Sequence, residues 1–207
     1  MTIEGRPNLT RELIAKTALR LTDANGLEKL SMRKLGSELG VEAMSLYHYV
    51  ANKDDLLDAM TDCLFGEMEL PFDIPDDQWE VATRTALTSF RNVLQRHSAG
   101  VVLFATRPVR TKPAFGVLHW SYRRFELVGL SPEQSVVALR FCVSYVMGHA
   151  VNEFELIRRN SDIDLTSVTD PAVRAYLATA HSVDPSVSFE QGLDILVAGL
   201  RVHFDLP

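Results

Sequence analysis

The sequence is poor in cysteine. Its 207 residues include two, Cys63 and Cys142, which lie within apolar helical patterns far apart in the chain. We expect two buried free thiols in a reducing compartment rather than a disulfide framework. No Cys/His cluster has the spacing of a zinc site, so no metal and no other cofactor is predicted.

Long hydrophobic runs are also missing. No apolar stretch approaches the roughly 18–20 residues needed to span a bilayer, and residues 1–8 are polar, unlike a signal peptide. Hydrophobic residues nevertheless make up 46% of the chain, enough for a globular core. We therefore expect a cytoplasmic protein without a membrane partner.

An excess of basic residues is absent as well, since the formal net charge is −6. Residues 1–56 contain eight Lys/Arg and eight Asp/Glu, so the negative charge lies in residues 57–207. An acidic segment repels DNA, and any DNA contact would therefore be made by the N-terminal part. Charge alone does not establish DNA binding, because that part is not strongly basic.

Apolar residues recur with the period of a helix through most of the chain, and no segment alternates like a strand. The predicted fold class is all-α. The third helix is predicted over Glu42 to Tyr49, the last is predicted to begin near Ser186 or Ser188, and Pro71 and Pro75 frame a linker. The helix start signals are Thr10, Ser31, Asn52, Ser131 with Gln134, and Asp170 before Pro171.

The segment from Ser31 to Lys53 reads SMRKLGSELGVEAMSLYHYVANK. Two short helices joined at Gly40 are typical of a helix-turn-helix motif. Small or polar residues at 42–45 begin the second helix, the part that reaches base edges in the major groove. The residues spaced to lock the two helices together are Leu35, Leu39, Val41 and Leu46.

This segment resembles the TetR family of transcriptional regulators. The family typically shows S/T-x-R-x-[IL]-A and then GV-x-x-x-x-LY-x-[HY]-[FV]-x-[NS]K-x-x-L. Here residues 31–36 read SMRKLG and residues 40–56 read GVEAMSLYHYVANKDDL. The resemblance implies a three-helix helix-turn-helix head joined by a fourth helix to a helical-bundle body for ligand binding and dimerisation. We expect a DNA-binding domain over residues 1–56 and a ligand-binding and dimerisation domain over residues 57–207.

The resemblance also implies roles for eight residues of the head. Bases would be read by Ala43, Met44, Ser45 and His48, and phosphates would be bound by Ser31, Arg33, Tyr47 and Lys53. Arg33 and Lys53 can form charge-assisted phosphate bonds, whereas Ala43 and Met44 can contact only apolar features such as a thymine methyl group. Taken alone, Tyr47 is more typical of a core and His48 of an ordinary surface, and only their joint spacing favours DNA contact.

The rest of the chain resembles the tetracycline-repressor branch in short segments: residues 52–59 (NKDDLLDA), 89–91 (SFR) and 106–108 (TRP). The drug site does not carry over. Where those repressors bind the magnesium of the chelated drug through a histidine, this chain has Leu103, and other drug-contact positions fall at or near Glu69, Ala86, Ser144 and Asn152. A leucine offers no metal ligand, so we predict that the protein does not sense magnesium–tetracycline.

A different effector pocket is expected. Most candidate lining residues are apolar or aromatic with a few polar groups, as in small-molecule sites, although each aromatic side chain alone is more typical of a core. His119 and Asn152 are more informative, because polar groups on apolar helix faces need a partner. The candidates, taken from the resemblance, are Phe90, Leu103, Phe104, Thr106, His119, Trp120, Arg123, Ser144, Tyr145 and Asn152.

The family resemblance further implies a homodimer formed by the long helix after Ser131 and the final helix. Two helices from each subunit would make a four-helix bundle about a two-fold axis, and the two heads would reach major grooves about 34 Å apart. The predicted contact stripe of the final helix is Phe189, Gly192, Leu193, Leu196, Gly199, Leu200 and Phe204.

The predicted function is a repressor released from a palindromic operator by a small-molecule effector, and not an enzyme. One alternative is a helical enzyme, against which the sequence has no nucleophile–base set, phosphate loop or metal motif. Another is a ligand-independent DNA-binding regulator or an activator.

Overall fold

The computed structural model describes residues 9–107, 109, 111–159 and 165–207. In these ranges the chain forms ten α-helices and two one-turn 3₁₀ helices and contains no strand, which confirms the all-α class. The helices are α1 Arg11–Asn25, α2 Met32–Leu39, α3 Ala43–Leu46, α4 Lys53–Gly66, α5 Trp79–Arg96, α6 Gly100–Thr106, α7 Lys112–Leu127, α8 Pro132–Arg159, α9 Pro171–Ser182 and α10 Pro185–Phe204.

The predicted start signals act as helix caps. Before α1, α2, α4 and α8, a side-chain oxygen accepts the backbone N–H three positions later at 2.9–3.3 Å; these residues are Thr10, Ser31, Asn52 and Ser131. Gln134 completes the box before α8 by accepting the Ser131 N–H at 2.8 Å. Each cap satisfies a donor that the helix leaves open, which contributes about 1 kcal/mol.

The predicted end of the third helix is wrong, because α3 stops at Leu46. The N–H of Tyr47 and of Tyr49 each bond the carbonyl three residues back, at 3.3 and 2.9 Å. Such bonds tighten the chain into a turn before Asn52 caps the next helix.

The predicted start of the last helix also needs correction. The helix begins at Pro185, after Asp184, whose carboxylate accepts the N–H of Ser186 at 2.7 Å. An acidic cap followed by proline is a stronger start signal than the serines chosen from the sequence.

Contacts divide the chain into two units. Unit 1 comprises residues 1–70 and 88–120. Its core is built from α1, α2, α3, α4, α5 and α6, and one aliphatic residue from each of these helices is almost completely buried: Ile14, Leu35, Leu46, Leu56, Val93 and Leu103.

Unit 2 comprises residues 71–87 and 121–207. Trp79 is buried here, and its indole N–H donates to the carbonyl of Pro207 at 3.1 Å. The long helices α8 and α10 supply most of the core through Ala138, Cys142, Val146, Ala150, Phe189, Leu193, Leu196, Val197 and Leu200.

The dimer-contact stripe predicted for α10 is wrong. Four of its members, Phe189, Leu193, Leu196 and Leu200, are buried within unit 2 of a single chain. The apolar period therefore marks the inner face of the helix. The large apolar residues of α10 that remain in solvent are elsewhere, chiefly Ile195 (75% exposed) and Val202 (83% exposed).

The two cysteines are free thiols, as predicted. Cys142 is buried, while Cys63 is only half-buried. Burial raises the pKa of the Cys142 thiol to about 12 and that of Cys63 to about 11. Both therefore stay protonated and poorly nucleophilic at neutral pH.

Candidate DNA-reading surface and the contacts of the fourth helix

Helices α2 and α3 meet at Gly36. The turn between them follows Gly40, which has φ 67° and so adopts the left-handed conformation that favours glycine. A Cβ atom on Gly36 would lie 2.8 Å from the carbonyl oxygen of Val41 and 3.1 Å from the backbone nitrogen of Ala43. The helices approach this closely because Gly36 has no side chain. The sequence analysis did not identify this role, although a glycine within an amphipathic helix pattern is a signal of close packing.

Helix α3 has an inner and an outer face. Leu46 and the following Val50 are completely buried. On the outer face Met44 is 73% exposed, His48 is exposed, and Ala43 and Ser45 are half-buried. The start of α3 therefore faces solvent, as a helix that enters the major groove must.

The four residues predicted to bind phosphates are also on the surface. Ser31, Arg33 and Lys53 are exposed, and Tyr47 is 41% exposed. Lys53 is the first residue of α4, where open backbone N–H groups also favour an anion. All eight predicted DNA-contact residues are accessible, and their contacts with DNA remain a prediction.

Arg11 of α1 holds helix α4 against α1 by hydrogen bonds. The guanidinium donates to the two carboxylate oxygens of Asp55 at 2.6 and 2.7 Å, and to the backbone carbonyls of Asp55 and Tyr49 at 3.1 and 3.3 Å. The hydrogen bond from Arg11 lowers the pKa of Asp55, with a further contribution from the Ala51 N–H. Bidentate pairs of this kind fix geometry as well as adding energy.

A second arginine holds the other side of α4. Arg107, just after α6, donates to Asp58 at 2.7 Å and to Asp54 at 3.0 Å. The hydrogen bond to Asp58 raises the pKa of the Arg107 guanidinium, which therefore stays charged. Thr111, at the start of α7, also donates to the Asp62 carboxylate of α4. Arg107 and Thr111 are thus both bound to carboxylates of α4 by charge-assisted hydrogen bonds.

Thr106 has a different role. Its hydroxyl donates to the carbonyl of Val102 at 2.7 Å, within its own helix. Of the two residues that precede Pro108, Arg107 is the one whose side chain forms ion pairs with α4. Pro108 itself lies outside the described residues.

The C-terminal end of α4 is bound by His97. Its Nδ1 lies 2.8 Å from Asp23 of α1 and its Nε2 lies 3.0 Å from Glu67, next to the end of α4. Arg96 also pairs with Glu67 at 3.2 Å. Burial opposes ionisation of Glu67, but the hydrogen bonds and charges of His97 and Arg96 outweigh it and lower its pKa. Sequence reasoning missed this cluster because its members are 74 and 30 residues apart.

Six predicted effector-contact residues lie in unit 1. Phe90 and Phe104 meet edge to face at 5.0 Å, and Phe65 adds a second such contact with Phe104 at 4.8 Å. Leu103 is 1% exposed and belongs to the core cluster. Of the others, Thr106 and His119 are exposed and Trp120 is half-buried.

The remaining four lie in unit 2. Ser144, Tyr145 and Asn152 line a cleft of about 1010 Å³ bordered by α8, α9 and α10. The Tyr145 hydroxyl donates to the carbonyl of Phe189 at 2.7 Å. Arg123 does not line this cleft; it pairs with Glu126 at 3.0 Å.

The described part of the chain contains neither a candidate metal site nor a candidate membrane-spanning helix. There, no group of three or more His, Cys, Asp or Glu side chains is arranged to hold a metal ion. In the same residues, no helix combines the length and the hydropathy needed to cross a bilayer.

Comparison with known proteins identifies the family. Residues 14–60 match the family described as "Bacterial regulatory proteins, tetR family", and residues 70–204 match "Tetracyclin repressor-like, C-terminal domain". The chain belongs to the TetR family. The resemblance found in the helix-turn-helix segment is thereby confirmed, and the chain is a DNA-binding transcriptional regulator by family.

Relatives of this TetR-family chain match it over nearly its whole length. A regulator of Saccharopolyspora erythraea described as "HTH-type transcriptional regulator" is 30% identical over 204 residues, covering 94% of this chain and 86% of that protein. The class C tetracycline repressor of Escherichia coli is 30% identical over 203 residues, covering 93% and 91%. The structure of Streptomyces coelicolor ActR in complex with actinorhodin is similar with a TM-score of 0.75 at 27% identity, covering 94% and 96%.

Proposed function

We propose that this protein is a homodimeric repressor that binds a palindromic operator and is released from it by a small-molecule effector. The observation that carries the proposal is the outer surface of α3 and the turn after it, which presents Met44 and His48 to solvent while Leu46 is buried. A folding role does not require this face to be exposed, whereas reading a major groove does. The proposed DNA-binding domain is residues 1–56, and the proposed effector-binding and dimerisation domain is residues 57–207.

Base reading is assigned to Ala43, Met44, Ser45 and His48, and phosphate binding to Ser31, Arg33, Tyr47 and Lys53. Accessibility of all eight supports this division. Arg33 and Lys53 supply the cationic contacts, and each one lost should lower the dependence of binding on salt by about one counterion per half-site.

The proposed dimer surface is the outer face of α8 and α10. Val137 and Phe141 of α8 are exposed, as are Ile195 and Val202 of α10. An apolar groove of about 320 Å³ runs between the two helices and is lined by Val137, Ala138, Phe141, Gly199, Leu200, His203 and Phe204. Contiguous apolar surface of this kind favours association, and a two-fold axis would place the same face of a second copy on it.

Release is proposed to pass through Arg107. An effector shifts a two-state equilibrium only if it binds one state more tightly. The pairs of Arg107 with Asp54 and Asp58 bind the segment after α6 directly to α4, the helix that follows the reading turn. A shift of α6 on effector binding would therefore pull on α4 through these pairs.

The proposed effector is a largely apolar, aromatic small molecule. ActR was solved in complex with actinorhodin, and here Phe65, Phe90 and Phe104 form an aromatic cluster by edge-to-face contacts with one another, a surrounding that suits an aromatic ligand. The ten lining residues from the sequence remain the candidates for its contacts. A magnesium-chelated tetracycline is not expected, because Leu103 is a buried hydrocarbon where a metal ligand would be needed. Isothermal titration that showed tight, magnesium-dependent tetracycline binding would contradict this.

Operator selection tests the proposal. The full-length protein is incubated with a random-sequence duplex pool, and bound DNA is amplified and sequenced through several rounds. We expect an inverted repeat whose half-site centres are about one helical turn apart. Arg33→Ala should weaken binding to the selected duplex, while the matched control Lys29→Ala, outside the reading segment, should not. Failure to enrich any duplex at low salt would overturn the proposed function.

A further inference from the structure

The reading surface lacks the side chains that form bidentate contacts with bases, although Ser45 and His48 can form single hydrogen bonds. Between Val41 and Val50 the sequence is VEAMSLYHYV, without Arg, Lys, Asn or Gln. Those side chains make the bidentate contacts with guanine and adenine in the major groove. This segment must therefore discriminate bases by other chemistry.

The most prominent side chain on this surface is Met44. It is 73% exposed, the largest exposed fraction among the large apolar residues of α3 and the turn after it. Its side chain has three rotatable bonds and a polarisable thioether, so it adapts to irregular apolar surfaces. It offers no N–H or O–H donor. The one apolar feature on base edges in the major groove is a methyl group at C5 of a pyrimidine.

The backbone that carries Met44 is fixed before any DNA is bound. Gly36 places the first turn of α3 directly against the backbone of α2, and the Val41 N–H donates to the Gly36 carbonyl at 2.9 Å. Leu46 anchors the inner face. A rigid support of this kind keeps the weak, short-range contact of a methyl group from being lost to motion.

We infer that this protein recognises thymine by its 5-methyl group, with Met44 as the specificity-determining residue and the half-buried Ala43 beside it. The inference rests on the proposed operator binding and adds to it the chemistry of base choice. Recognition of the methyl group predicts a response to cytosine methylation that recognition by hydrogen bonds does not. 5-Methylcytosine carries the same methyl group at the same place in the groove, so it should substitute for thymine.

The test uses the duplex selected by the wild-type protein. The base pair read by position 44 is located as the one whose preference changes when selection is repeated with Met44→Ala. Four duplexes then carry thymine, deoxyuridine, cytosine or 5-methylcytosine at that position, with adenine or guanine opposite, and binding is measured by fluorescence anisotropy. We expect thymine and 5-methylcytosine to bind about fourfold more tightly per half-site than uracil and cytosine, the factor that corresponds to about 0.8 kcal/mol for one buried methyl-sized group.

Two variants separate a methyl contact from a general effect on α3. Met44→Ala should bind thymine and uracil alike, and 5-methylcytosine and cytosine alike, because the contact is gone. Met44→Leu should keep the preference for the two methylated bases, because its side chain is still apolar and long. Neither change should unfold the head, since the side chain is in solvent.

The outcomes distinguish this inference from the proposed function. If a duplex is selected but thymine and uracil bind equally, the methyl contact is overturned and operator binding stands. If thymine and uracil both bind more tightly than the two cytosines, base choice depends on hydrogen bonds or DNA shape, and the inference is again overturned. If no duplex is selected, both fail together.

Discussion

The two units of this protein are built by different means. Unit 1 uses short helices, including the four-residue α3, and holds α4 in place by ion pairs at Asp54, Asp55 and Asp58. Unit 2 uses long helices, the 28-residue α8 and the 20-residue α10. Their inner faces pack by hydrocarbon contact, and their outer faces leave Phe141 and Ile195 in solvent.

The difference matches the two tasks that we propose. Reading DNA requires a few side chains held at fixed positions, and directional ion pairs and close backbone packing provide that precision. Forming a dimer requires broad apolar surface, which is non-directional and proportional to area. Loss of the ion pairs of α4 should therefore disturb DNA reading, and steric substitutions should act in each unit according to what they meet.

The largest effect is expected for Gly36→Ala in unit 1. The new Cβ would meet backbone atoms of Val41 and Ala43, which cannot move without displacing α3. We expect the free energy of unfolding in urea to fall by about 2 kcal/mol and operator binding to be lost. Gly66→Ala at the end of α4 is the control, since its Cβ meets nothing within 4 Å. Equal stability of the two variants would show that α2 and α3 are not in backbone contact.

The second largest effect is expected for Arg107→Ala. Removing both pairs with α4 should reduce the effect of the effector on operator affinity about tenfold, within the usual 1–3 kcal/mol of coupling between sites. Anisotropy titrations with and without effector measure this ratio. Arg84→Ala, which removes an ion pair with Asp194 at a position outside every proposed contact, is the control. Unaltered release by the Arg107 variant would remove this residue from the switch.

Gly192→Ala tests unit 2 by the same steric logic. Here the new Cβ would meet the ring and hydroxyl of Tyr145, a side chain rather than backbone. The ring must shift, and its hydrogen bond to Phe189 is weakened. We expect a loss of about 1 kcal/mol in unfolding free energy, with operator preference unchanged and with Gly116→Ala as control. A loss as large as that of Gly36→Ala would mean that unit 2 tolerates packing errors no better than unit 1.

The smallest effect is expected for Arg11→Met. Because the partly exposed pair lowers the pKa of Asp55 in the folded state, its contribution is complete above the unfolded pKa, about 3.9. It is lost as the pH falls through that value and the folded pKa. The variant should be about 0.5–1 kcal/mol less stable at pH 7, and the difference should shrink as the pH falls below about 4 and disappear below the lowered folded pKa of Asp55. A difference that does not shrink on acidification would point to packing of the arginine stem instead.

Much of the fold could be predicted because its signals are local. The caps at Thr10, Ser31 and Asn52 act over three residues, and the all-α class follows from a period that each helix carries by itself. The Tyr47–Tyr49 turn was missed because its residues have no helix-breaking character. This turn ends α3 through backbone hydrogen bonds between residues three positions apart.

Contacts between residues far apart in sequence were harder to predict. The His97 cluster joins three chain segments, and nothing in the sequence near Asp23 or Glu67 indicates the histidine. The apolar stripe of α10 was visible, but a stripe shows only that a face is buried. Whether it is buried by its own chain or by a second copy depends on the neighbouring helix.

By itself, the sequence determined the helical class, the family and the identity of the side chains on the reading surface, because each depends on residues that are neighbours along the chain. The tertiary structure decided which of those side chains face solvent. It also decided that Gly36 sets the contact between α2 and α3, that Arg107 binds α4, and that Phe189 and Leu193 of α10 belong to a core within one chain. The contacts of Arg107 and of α10 join helices far apart in sequence, and the Gly36 contact depends on the angle between two consecutive helices, and local patterns encode neither.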